Sequence, residues 1–375
     1  MRRAILLFLV GCGSVGPVAR SVSPSSAEPP TEKPDPVAPS VSELALGPGR
    51  SCALLVGGAV KCWGARLGGE GHVLWPTLLE GVSGVTQLAM GPNHACALLA
   101  SGRVRCFGHN EHGALGDGTH QPAAFPNVDP GLDGVVQLAL GSDFSCARKA
   151  TGAVSCWGYN QQGSLATGAL SLEELRPVPS KLEGVRHLAV ARWHGIAARG
   201  DGSVVTWGDR PDAPPTAAPA SLPEMSHVVE VAASSTHTCA RTDDGRVFCW
   251  GDNDQGQLGD PSAPPYLGHP RQVVDVVDAV QLAVGVGLTC IRHVDGAVSC
   301  FGANDKGQIG DGTTTARPKP TRVPGVVGAR FVATSGRHTC VALARGEAQC
   351  WGANDDGELG DRTRTPRALR GPVLF

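Results

Sequence analysis

No stretch of the 375 residues repeats apolar side chains at helical spacing, and aromatics make up only 5% of the chain. A helical bundle or a helix-covered parallel sheet is thereby set aside, since either needs apolar helical faces to build a core. Charge of one sign is lacking too. Lys and Arg number 32 against 34 Asp and Glu, a formal net charge of −2, so no basic field invites nucleic acid or an acidic membrane surface. The apolar run at residues 4–10 is too short to cross a bilayer as a helix. Catalytic signatures are missing as well: there is no Gly-x-Ser-x-Gly elbow, phosphate-cradling loop or His-Glu-x-x-His. Cysteines ten apart lack the close knuckle of a zinc site, and Asp252, Asn253 and Asp254 before Gly256 lack the bidentate glutamate of a calcium loop. No catalytic, metal or cofactor residue is assigned. An enzyme whose residues converge from several repeats stays open.

Glycine (51) and proline (29) are plentiful, which suits many short strands joined by turns. The stretch from Thr238 to Gly251 reads as a β-hairpin: pairing Cys239 with Cys249 leaves a loop of Asp243, Asp244 and Gly245, with glycine in the left-handed place of a three-residue turn. The same template returns with cysteines at Cys52 and Cys62, Cys96 and Cys106, Cys146 and Cys156, Cys290 and Cys300, and Cys340 and Cys350. In a seventh copy Ile196 and Thr206 replace both cysteines together. Paired loss marks each pair as a unit, so six intra-hairpin disulfides are expected. His94, His194, His237 and His338 recur two residues before the cysteine position, with Arg50, Phe144 and Leu288 there in the other copies. Repeat position accounts for them without a metal.

A repeat of roughly 45 to 50 residues overrides the multi-domain prior of length. Each copy reads as an apolar strand, the hairpin, an aromatic followed by glycine (Trp63, Phe107, Trp157, Trp207, Trp250, Phe301 and Trp351), and a longer loop. The aromatic series is expected to pack between repeats. Five copies continue as Asn-x-x-Gly-x-Leu/Ile, beginning at Asn110, Asn160, Asn253, Asn304 and Asn354. Glycine turns that loop and the aliphatic residue pins it. Copies one and four lack it.

The thirteenth cysteine, Cys12, follows Met1-Arg2-Arg3 and the short apolar run, an arrangement similar to a bacterial lipoprotein signal in which the cysteine is acylated. The alternative is a mis-assigned start with a chance cysteine. On the first reading residues 1–11 are the signal, 12–40 are the lipid cysteine with a Pro/Ser-rich tether, and 41–375 are the folded domain. An oxidising compartment outside the cytoplasm follows, with outer-membrane sorting favoured by Gly13.

The run Cys-Trp-Gly-x-Asn-x-x-Gly-Gln-Leu-Gly-Asp at Cys249 to Asp260, nearly repeated from Cys300 and Cys350, resembles the repeat of the regulator of chromosome condensation family. That resemblance implies an all-β, seven-bladed β-propeller with four-stranded blades, and the disulfide-bearing form resembles secreted bacterial members. The first copy lacks a proline-led segment such as residues 318–323, whereas the chain ends in residues 366–375. The C-terminal strand at 368–374 is therefore expected to complete the first blade and close the ring. The expected function is a non-catalytic scaffold at the cell envelope, monomeric, touching the membrane only through its lipid, and recognising an unknown protein partner through loops of one face. An envelope polysaccharide lyase or hydrolase with a site in the central channel is the alternative. Nucleotide exchange on a small GTPase, as in the founding member, fits export and neutral charge poorly. Trp193, Arg192 and Trp75 lie outside the aromatic-glycine series, in the two copies that lost the loop, and are the candidate partner-binding residues. Decay of a degenerate repeat, with Trp193 filling a gap, is the plainer account.

Overall fold

The computed structural model describes residues 40–67, 71–210 and 213–375. Cys12, the signal and the tether up to residue 39 lie outside the described residues. Within the fifth repeat, strands Val228–Ala233, His237–Thr242, Val247–Asp252 and Tyr266–Gln272 pair antiparallel in chain order. The hairpin register follows its cysteines. Cys239 stands opposite Cys249 and Arg241 opposite Val247, while the Gly245 N–H donates to the Thr242 carbonyl at 3.0 Å. Gly245 has φ +81°, the left-handed region the turn needs. All six pairs are disulfide-bonded, and Ile196 keeps the same register against Thr206 with no cysteines at those positions. Six local disulfides place the folded part in an oxidising, extracytoplasmic setting.

Seven such sheets form blades at residues 41–78, 85–128, 135–179, 185–221, 228–272, 279–322 and 329–372. The first strand of every blade packs against that of the next, and the seventh against the first, so the ring closes. This is a seven-bladed propeller of four-stranded blades. The small apolar inner strands are braced crosswise. The Gln87 side chain donates to the Leu138 carbonyl at 3.2 Å and accepts from the Leu138 N–H at 2.8 Å, one blade on. Gln137 does the same to Leu188 and Gln281 to Val332.

Closure differs from the expectation. Strand Arg367–Pro372 belongs to blade seven, with Cys350 opposite Gly371 and Gly352 opposite Arg367, and blade one is completed by its own strand His72–Leu78, with Cys62 opposite Thr77. The proline-led segments pair backward, onto the third strand of their own repeat, rather than forward with the repeat they precede. Prolines such as Pro76, Pro126 and Pro320 sit in these outermost strands, where one row of N–H groups has no ladder partner to lose. The ends meet across a blade interface instead: the Val41 N–H donates to the Gly346 carbonyl at 2.9 Å, and the Phe375 ring meets Trp63 edge-on at 6.0 Å.

Candidate functional site

In an up-down-up-down blade the turn between strands one and two and the connection between strands three and four emerge on the same face of the ring. On that face the Asn-x-x-Gly-x-Leu loops act as plugs for the next blade. The Asn110 side-chain oxygen accepts from the Leu115 N–H at 2.8 Å and its amide donates to the carbonyls of Thr119 and Gln121, which drives Leu115 into the core. Leu165, Leu258, Ile309 and Leu359 are buried in the same way. The carbonyl just before each aliphatic residue then receives the next blade. Trp157 Nε1 donates to Ala114, Trp207 to Ser164, Trp351 to Gln308 and, across the closure, Trp63 to Glu358, all at 2.7–2.9 Å. The expected inter-repeat packing of the aromatics thus includes a hydrogen bond wherever the ring is an indole following an intact loop.

The recurrent histidines lie beside these plugs. His94 Nε2 meets Ser145 Oγ at 2.7 Å, His237 Nε2 meets Thr289 Oγ1 at 2.7 Å, and His338 Nε2 meets Ser51 Oγ at 2.8 Å, each a hydroxyl of the following blade. His194 reaches Thr238 Oγ1 at a looser 3.3 Å. Burial pushes His94 down to about 4 and His237 and His338 down to about 3, so these rings are neutral at pH 7. Their backbones come close to the glycine after the aromatic: a Cβ on Gly251, at φ +113°, would lie 2.6 Å from the Thr236 carbonyl.

Two blades lack the motif in sequence, and among the described residues the structure opens there. Thirteen or fourteen residues link strands three and four in five blades, against residues 66–71 in blade one and 211–212 in blade four. An opening of about 440 Å³ consequently separates blades one and two, lined by Arg50, Trp63, Leu79, Met90 and Phe107. A second, of about 370 Å³, separates blades four and five and is lined by Trp193, Asp209, His237, Trp250 and Tyr266. Trp250 is only partly buried, unlike the other six aromatics of its series.

Arg192 and Trp193 occupy the turn between strands one and two of blade four. They line both the opening at blades four and five and a mouth of about 460 Å³ on the ring axis, to which all seven such turns contribute. Arg192 is exposed, and its guanidinium carbon lies 4.1 Å from the centroid of the half-buried Trp193 ring, a cation–π contact. Trp75 is elsewhere. It stands on the outermost strand of blade one with 51% of its surface exposed and lines neither cavity. The structure brings Arg192 and Trp193 together and leaves Trp75 apart.

The opposite end of the channel is wider, about 820 Å³, and carries Glu43, His187, Glu230, Arg148 and Arg292. Most of these groups hold blades together. Glu230 accepts from Arg241 Nε at 2.7 Å and from the Leu282 N–H at 3.0 Å, and Arg148 and Arg292 each donate Nε to the bracing glutamine of their own blade. Glu43 is pushed up to about 7 by burial and so exchanges a proton near neutrality. His187 is pushed down to about 4, by burial first and then by Arg148, Arg241 and Arg186. Sequence reasoning placed Arg50 in the histidine series but missed its burial beside an opening, and missed both openings. The missing loops were visible, but not that each loop seals the following blade.

The model of the RCC1-like domain matches residues 65–374. The chain belongs to that family. Human E3 ubiquitin-protein ligase HERC2 is 39% identical over 98 residues, 26% of this chain and 2% of that protein. Human regulator of chromosome condensation is 34% identical over 96 residues, 24% of this chain and 22% of that protein. This RCC1-like chain therefore spans only a small part of these curated relatives. Among solved structures, Prp20p from Saccharomyces cerevisiae superposes with a TM-score of 0.74 at 21% identity, covering 90% of this chain and 88% of that one, a likeness of fold.

Proposed function

We propose that this protein is a non-catalytic binding scaffold, held at the bacterial envelope by a lipid on Cys12, that recognises a partner protein through the loop-bearing face around Arg192 and Trp193. RCC1-like propellers commonly mediate protein binding, and the Prp20p structure is described together with that protein's binding to Gsp1p and histones. One observation carries the placement: Trp193 and Arg192 sit where the axial mouth meets an unplugged blade interface, so two concave surfaces share one aromatic–arginine pair. Such pairs in pockets are typical anchors of protein interfaces. The alternative, an envelope polysaccharide lyase or hydrolase, would draw on Glu43 at the other end of the channel.

Capture from solubilised native envelope tests the reading. A stoichiometric protein retained by wild type, and weakened at least tenfold by Trp193→Ala at unchanged melting temperature, supports it. A Trp193→Ala variant that melts early but still captures the partner assigns Trp193 to packing. Turnover of envelope glycan by the purified protein, lost in Glu43→Gln, favours the enzyme instead.

A further inference from the structure

Four of the seven blade interfaces share one contact, and of the three that do not, one puts a charged side chain in its place. At blades two, four, five and seven the residue two before the cysteine position is a histidine, and the next blade supplies Ser145, Thr238, Thr289 or Ser51 to meet it. In blade one that residue is Arg50, and the corresponding place in blade two is Ala95, which has no hydroxyl. Blade one also carries no Asn-x-x-Gly-x-Leu motif in its sequence. Nε and Nη1 of Arg50 are buried and have no hydrogen-bond partner among the described residues. Burial lowers its pKa, and Asp356, the carboxylate that acts against this, is itself paired with His72 at 3.2 Å. Guanidinium N–H groups withdrawn from water without an acceptor are costly, and an anion supplied from outside relieves that cost.

The surroundings narrow the choice of anion. The 440 Å³ opening beside Arg50 is walled by Trp63, Leu79, Met90, Phe107 and Phe125, with the exposed Arg66 and Glu80 among its other lining residues. A bare inorganic ion would leave that apolar wall facing water, and an uncharged apolar body would leave Arg50 unsatisfied. We propose that the interface between blades one and two is a binding site for a small amphipathic carboxylate, its apolar body against Met90 and Phe107 and its carboxylate hydrogen-bonded to Arg50. The site is independent of Arg192 and Trp193, which lie in blade four.

Titration calorimetry with the disulfide-intact chain tests this, using 4-phenylbutyrate and its uncharged counterpart 4-phenylbutanol at pH 8. Wild type is expected to bind the carboxylate at least tenfold tighter than the alcohol. Arg50→Leu, which installs the residue that Leu288 provides in blade six, should erase that preference while alcohol binding persists. Should that variant not fold, Arg50→His places the residue of four other blades there, neutral at pH 8, with the same expectation. Wild-type binding of neither probe, equal binding of both, or a preference that survives loss of the guanidinium would each overturn the assignment.

Discussion

Acid should weaken this propeller well above the pH at which its carboxylates protonate, because three histidines are buried neutral between blades. His94, His237 and His338 have folded-state values of about 4, 3 and 3 against an ordinary 6.5. The folded value is the depressed one, so the unfolded chain takes up protons first: stability is complete above pH 6.5 and falls as pH drops toward the folded values. At pH 5 each site costs about 2 kcal/mol, and the three together about 6 kcal/mol, comparable with the whole stability of many domains. The depressed carboxylates Asp311 and Asp361 lose their contribution only at lower pH. Glu43 acts in the opposite sense, since its raised value means that protonation below pH 7 relieves a cost, and Glu43→Gln is the cleaner background. Guanidinium unfolding followed by tryptophan fluorescence, with disulfides intact, should show the loss between pH 7.5 and 5. His237→Gln, able to keep a hydrogen bond to Thr289, should reduce that loss by about 2 kcal/mol. Equal pH slopes in wild type and variant would refute the reasoning.

Replacing Cys239 and Cys249 by the Ile and Thr that blade four carries should lower stability by about 2 to 3 kcal/mol, the loop-closure value for ten residues, and non-reduced peptide mapping should return only the six local pairs. Removing residues 366–375 strips the outer strand of blade seven and the Phe375 ring from Trp63, so the melting temperature should drop by more than about 3 °C; an unchanged value would make that strand dispensable. Cys12→Ser should release the protein from membranes with its circular dichroism unaltered, and retention after detergent-free washing would count against the lipid anchor.

Much of the blade was legible because its signals are local. Cys239, Gly245 and Cys249 specify one hairpin register by spacing alone, and seven recurrences count the blades. The outer strand was not legible in the same way. Segments such as Arg317–Arg322 carry a mixed, proline-broken pattern, and nothing in their residues says whether they pair with the strand behind or ahead, so the closure was misassigned. At the candidate site, Arg192 and Trp193 stood out as departures from the repeat. The openings did not, because the groups each loop seals, such as Trp157 above Ala114, lie some forty residues further on and meet the loop only in the closed ring. Arg50 was visible as an exception to the histidine series, but its want of a partner among the described residues depends on Ala95 in another blade.

Each blade is made from one uninterrupted stretch of chain, and the ends meet through the same kind of plugged interface that joins four other pairs of neighbouring blades. Nothing in the ring therefore marks a required beginning. A chain reopened between blades five and six, with its present ends tied by a short linker, would leave every sheet intact and should reach the same fold. For the same reason an in-frame duplication or deletion of one repeat orphans no strand, so a gene of this type can change its blade number in a single event. The contacts within a blade are near in sequence, and assembly can proceed blade by blade along the chain, leaving the bonds of Trp63 and Ser51 to Glu358 among the last to form.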